Sequence, residues 1–236
     1  MEEPHHRRLV SVQDVVLLVI LLVGYVVTIL VPRCWDREWI EFVQRRWLSL
    51  RSHSIQNLAA IIKARLQEIG AAQSIRVAQQ HHRILVEFWW GRFRSIGPRG
   101  WRPEIEIKGR EYLDVALESG RGVVLWETRS CEGSAFLHGL WRNGLAPVLL
   151  SNEGHGSPDR SRLGVRWSAR LYRRGEDPYL KERVHIPTDG TLGYMKQLLD
   201  RLEDNCILLM LGENQGRRNV DGVVLGRSVA FASGAP

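Results

Sequence analysis

Two glutamates, Glu127 and Glu132, stand five positions apart in the stretch GRGVVLWETRSCEGSAF, just after the apolar run Val123–Trp126. Paired carboxylates are an acid/base device: the charge of one raises the proton affinity of the other, and so does burial beside an apolar surface such as Trp126. A carboxyl tuned in this way can take a proton from an alcohol and return it to a leaving group. Arg129 lies between the two, placed to pin one as an ion pair or to contact a phosphate. Gly120 and Gly122 turn the chain into the apolar run and helix-like sequence follows it, so the pair falls on a strand-to-helix loop.

Other reactive residues form weaker patterns. His138 has Asn143 rather than an acid five positions on, and His155 sits in the polar loop EGHGSPD, where it reads as solvated. Cys131 has no evident base to activate it. The three cysteines, Cys34, Cys131 and Cys206, show no CxxC spacing. That argues against a disulfide framework or zinc site and fits a reducing compartment. No metal or nucleotide motif is present, so neither a metal nor a cofactor is expected. Arg160, Arg162, Arg166 and Arg170, with Arg217 and Arg218 further on, are cationic groups for phosphate or carrier-protein contacts, or else plain solvated faces.

The elements that must position Glu127 and Glu132 alternate in type. Short apolar runs at Glu104–Ile107, Val123–Trp126, Pro147–Leu150, Val184–Ile186 and Ile207–Leu211 predict strands. Amphipathic stretches at Glu111–Glu118, Glu132–Arg142, Arg160–Arg174 and Leu192–Leu202 predict helices between them. Such alternation predicts an α/β fold with a mostly parallel sheet flanked by helices, over residues 101–236. Sites in such sheets lie beyond the carboxyl ends of the strands, where Glu127 and the loop GENQGRRN both fall.

Ahead of this domain the chain is differently built. After a short polar tail (1–14), residues 15–32 hold VVLLVILLVGYVVTILV, 17 residues without a charge. At about 1.5 Å per residue this nearly matches a hydrocarbon core of about 30 Å, which predicts a transmembrane helix. No small-x-small cleavage site follows, so a signal peptide does not fit. Residues 33–110 carry 15 Lys/Arg against 7 Asp/Glu, whereas residues 111–236 balance at 16 of each. The positive-inside bias then predicts a single-pass protein of the inner (cell) membrane with its body in the cytoplasm. Residues 33–100 read as basic helices, broken near Gly70. In WDREWIEFVQRRWLSL, Trp35, Trp39, Phe42, Trp47 and Leu50 lie among arginines, suited to lipid headgroups or to packing on the rest of the chain. With an apolar helix adjacent, nucleic acid is not expected as a partner.

REYLDVALESGRGVVLWETRSCEGSAF resembles the segment of the lipid A biosynthesis (lauroyl/myristoyl) acyltransferases in which a helix, a G-x-G turn and a strand lead into H-x4-D/E. GTLGYMKQLLDRLEDNCILLMLGENQ is similar to that family's helix and strand ending in Asp-Gln, and GVVLGRSVAFASGAP to its later apolar strand and Gly/Ala/Pro segment. The resemblance implies a glycerolipid-acyltransferase-like fold. It also implies transfer of an acyl chain from acyl carrier protein or acyl-CoA to a lipid acceptor such as a lipid A precursor. Glu132 matches the family's carboxylate, and Glu127 stands where the family has His. Asn214 and Gln215 stand at the Asp-Gln position, and with Arg129 and Arg217 are the expected substrate-binding residues. The resemblance further implies an oxyanion held by backbone N–H groups at the start of the Glu132 helix, and a C-terminus shorter than the family's. Three readings follow: a Glu127 base, a rearranged site, or an inactive chain that keeps a lipid-binding groove.

Overall fold

The computed structural model describes residues 8–66, 68–101, 103–127, 133–187, 192–211, 219–224 and 227–232. The chain divides into two compact units: one joins the residues up to Leu21 with those from 102 onward, and the other spans 22–101.

The first unit is built on the four strands β1 (Val123–Glu127), β2 (Val148–Asn152), β3 (Glu182–Ile186) and β4 (Ile207–Leu211). They form one sheet in the order β1-β4-β2-β3, and every pairing is parallel. The sequence dictates this arrangement. VLLSN and ILLML are apolar on both faces, as strands buried between helix layers must be, whereas the edge strand VVLWE alternates between half-buried and exposed. Helix α5 (Arg110–Glu118) precedes β1, and α6 (Gly133–Arg142), α7 (Ala169–Arg174) and α8 (Gly193–Glu203) fill the connections, with a π-helical turn at Gly164–Ser168 leading into α7. On one face Val148, Leu150, Val184 and Leu208 pack against Tyr194 and Leu198 of α8. On the other, Ile207, Val123 and Leu125 pack against Leu113 of α5 and Leu140 of α6.

Four of the five expected strands form, and Glu104–Ile107 does not. Its alternation is real, but Ile105 lies against Gly139 of α6 and Ile107 joins the α5–α6 core, so the segment crosses helices and pairs with no strand. The strand expected within GVVLGRSVAFASGAP is instead an antiparallel pair, β5 (Asn219–Val224) and β6 (Arg227–Ala232), in a sheet of its own. The entry into β1 depends on Gly122, at φ +67°, where a Cβ would lie 2.7 Å from the Leu202 carbonyl oxygen. No L side chain fits there. The Asn205 side chain closes this corner, accepting from the Gly122 N–H at 3.0 Å and donating to the Leu117 carbonyl at 3.0 Å.

Helix α1 (Val12–Leu30) is long and apolar enough to cross a membrane. In the second unit, α2 (Asp36–Leu50), α3 (Ser52–Arg65) and α4 (Ala71–Ile96) follow, with the expected break at Gly70. Ile55 and Ala59 of α3 pack on Ala78 of α4. The aromatic residues of α2 divide by face: Trp39 meets Trp90 of α4 with ring centroids 6.0 Å apart, while Trp35, Phe42 and Leu50 are exposed. Val31, Trp35, Glu38, Trp39 and Phe42 line a hollow on this unit.

Candidate active site

The sheet carries Glu127 to its carboxyl edge. Register pairs Leu125 with Leu209, Leu149 with Leu209 and Leu149 with Arg183. Two residues further along, Glu127, Ser151 and His185 reach the same level on their strands. Side chains two apart share a face. Leu125, Leu149 and Leu209 face Phe136 and Leu137 of α6 together with Tyr179 and Leu180. Glu127 therefore continues the α6 side of the sheet. Trp126 points to the opposite face and is 53% exposed, so it is not the apolar neighbour expected for Glu127.

Burial raises the proton affinity of the Glu127 carboxyl, and the negative charge of Glu176 pushes it further the same way. The second carboxylate of the described site is thus Glu176. Glu132 and Arg129 lie outside the described residues, as do Cys131, Asn214, Gln215, Arg217 and Arg218.

Glu176 follows α7 and its side chain is only 6% exposed. Two cations or potential cations hold it. His155 donates from Nε2 at 2.9 Å, and Arg183 donates from Nη2 at 3.0 Å. Arg183 also reaches Asp177 at 2.6 Å and Ser151 Oγ at 3.2 Å, which ties β3, β2 and the end of α7 together at the sheet edge. The His155 ring stands edge-on to Tyr172, with centroids 5.4 Å apart. His155 is therefore a bonded member of the site and not the solvated loop residue its polar surroundings suggest. Gly156 makes this possible: at φ +87° the backbone folds close enough to Tyr172 that a Cβ would lie 2.6 Å from that side chain. His185 sits at the same level of the sheet, and partial desolvation together with Arg173 and Arg183 lowers its proton affinity.

His138 is buried in the core, its ring 4.8 Å from that of Tyr179. The side chains of Arg160, Arg162, Arg166 and Arg170 are all exposed, Arg166 lying over the Trp167 ring at 5.8 Å. Sequence reasoning did not single out Glu176, Asp177 or Arg183. One signal was available, because Arg183 and His185 occupy alternate positions of the short edge strand ERVHI, which puts two cationic types on one face.

Chemically, the carboxyl end of the sheet offers a carboxyl with raised proton affinity on β1 and, felt by it through the charge of Glu176, a bonded His155–Glu176–Arg183 group. No known protein family matches the chain, and no characterised protein matches it.

Proposed function

We propose that this chain is a membrane-bound acyltransferase of the lipid A type, moving a fatty acyl group from a thioester donor to the hydroxyl of a lipid acceptor. The donor is acyl carrier protein or acyl-CoA, the acceptor a lipid A precursor or similar glycolipid, and the working face the cytoplasmic side of the inner membrane. The observation that supports this reading is the raised proton affinity of Glu127 at the carboxyl edge of the sheet, caused by burial and by Glu176. An ordinary carboxylate is a feeble base toward an alcohol, and one with raised proton affinity is a better one. Glu127 takes the acceptor proton as the hydroxyl oxygen bonds to the thioester carbonyl carbon. The C–S bond then breaks, and the thiolate leaves with the proton that Glu127 returns. Backbone N–H groups at the start of α6 hold the oxyanion in between. Glu132, Arg129, Asn214, Gln215 and Arg217 keep their expected roles as carboxylate partner and substrate contacts.

A second reading has a specific observation behind it. The 2.9 Å bond between His155 and Glu176 is the His–carboxylate pair that the first motif lacks, which makes His155 the base of a rearranged site. Full-length protein incubated with an acyl thioester and candidate lipid acceptors tests both. Acyl ester formation abolished by Glu127→Gln supports the first reading. Loss confined to His155→Asn supports the second. Acceptor binding without turnover in the unaltered chain identifies a lipid-binding protein instead.

A further inference from the structure

Helix α1 buries Asp14, Leu21, Gly24 and Thr28 and leaves most of its valines outward. Ser11, Asp14 and Leu21 are buried in the first unit, Gly24, Thr28 and Val31 in the second. Val12, Val16, Val19, Val23, Val26 and Leu30 are each between 50% and 79% exposed. A water-facing helix shows the opposite pattern, whereas small and polar contacts beneath an apolar outer face are what hydrocarbon favours.

The N-terminal end of α1 is fastened to the α/β unit. The Asp14 carboxylate accepts from Ser157 Oγ at 2.7 Å and from the Ser161 N–H at 3.0 Å, and Ser168 Oγ donates to the Asp14 carbonyl at 3.0 Å. Backbone N–H groups of Arg162 and Leu163 donate to the carbonyls of Arg8 and Leu9 at 3.0 and 3.1 Å. Ser11 bonds to Asp159 as well. A Cβ on Gly164 would overlap the Asp14 carboxylate, so the fit is close. The C-terminal end is fastened within the second unit, where Arg94 donates to the carbonyls of Thr28 and Val31 at 2.8 and 2.9 Å.

These ties fix sidedness. Residues 8–14 lie on whichever side of a bilayer holds residues 157–168. A crossing by α1 would put Val31 on the far side, and the chain would have to cross back before the sheet. Among the described residues there is no second helix apolar enough to do so. The longest, α4, carries Arg76, Arg83, Glu87, Arg92 and Arg94.

We propose that α1 does not cross the bilayer but lies in one leaflet, from the same side as the sheet, with its outward apolar face against acyl chains and both ends at the headgroups. It differs from the single-pass crossing expected from length and hydropathy, which the length of α1 would also allow. Charge fits the occupant. Arg8 precedes the helix, and Arg33 and Arg37 follow it with the exposed Trp35, so both ends carry groups suited to anionic headgroups. The proposal is independent of the chemistry at Glu127.

The test uses the full chain, with Cys131→Ser and the exposed Cys34 kept as the reporter after α1, and Arg8→Cys as the reporter before it. An impermeant maleimide is applied to right-side-out spheroplasts and to inverted membrane vesicles. Both thiols reacting in the same preparation is the expected result. Reaction in opposite preparations, or in neither, overturns the proposal. Purified protein should also float with vesicles of phosphatidylethanolamine and phosphatidylglycerol. The Val16→Gln/Val23→Gln variant, altered only at exposed positions, should partition roughly tenfold less. Flotation unaffected by that variant, or a dimer that does not bind vesicles, contradicts a lipid-facing α1.

Discussion

Glu176 joins two segments that are 21 residues apart, accepting a hydrogen bond from His155 Nε2 at 2.9 Å from a position almost closed to solvent. The same carboxylate raises the proton affinity of Glu127 across the sheet edge. A single buried charge therefore serves both candidate bases, as hydrogen-bond partner to one and as electrostatic neighbour to the other.

Replacing Glu176 should move the pH profile. With Glu176→Gln, Glu127 loses the charge that holds its proton, so its proton affinity falls toward the ordinary carboxylate range. A reaction that needs ionised Glu127 rises as pH rises through its titration. The acid limb should therefore shift to lower pH in the variant, as read from kcat/KM against pH. A limb that stays in place contradicts the coupling.

Glu176→Ala should also destabilise the first unit by about 3 kcal/mol, because it strips a buried partner from Arg183 and His155. Asp177 remains on Arg183, which places the effect at the low end of the range for broken buried pairs. Denaturant unfolding measures it.

Glu127→Gln should stabilise the protein at neutral pH. Folding raises the affinity of Glu127 for its proton, so its contribution to stability is full below the unfolded-state titration and is lost as pH rises through the folded-state one. A glutamine carries no such loss. Thermal unfolding should show the variant gaining on the unaltered chain as pH increases from acid to neutral. An unchanged or lower Tm at neutral pH would indicate that Glu127 is held as a satisfied ion.

The parallel sheet was legible in the sequence because four short apolar runs are separated by amphipathic stretches of the right length, and both signals are local. Glu104–Ile107 misled for a physical reason: alternation at Ile105 and Ile107 reports packing, and here the partners are helices. Glu127 was legible because it ends a strand. Its electrostatic neighbour Glu176 was not, and neither were the partners of Glu176, since His155, Glu176 and Arg183 lie on separate loops and a strand that only tertiary folding brings together. Likewise hydropathy marked α1 as apolar but could not report that Ser11 and Asp14 bond to the loop at 157–161.

Leu208 lies under α8 at the centre of the sheet, 2% exposed. Leu208→Ala should cost about 3 kcal/mol, lost transfer energy plus the cavity left behind. Arg94→Leu should cost a similar amount in the second unit, about 3 kcal/mol, by leaving the last carbonyls of α1 and the Asp36 carboxylate without their donor. Arg94→Lys should recover only part of it, because one ammonium cannot span three carbonyls and a carboxylate.

Single-turnover acyl transfer from an acyl thioester to a lipid hydroxyl, compared between the unaltered chain and Glu127→Gln, bears on the central claim most directly. General acid/base catalysis of this kind contributes about 100-fold or more, so the variant should lose at least that in rate while binding the acceptor as before. Ester formation at the full rate in Glu127→Gln, or none at all in the unaltered chain, would contradict it.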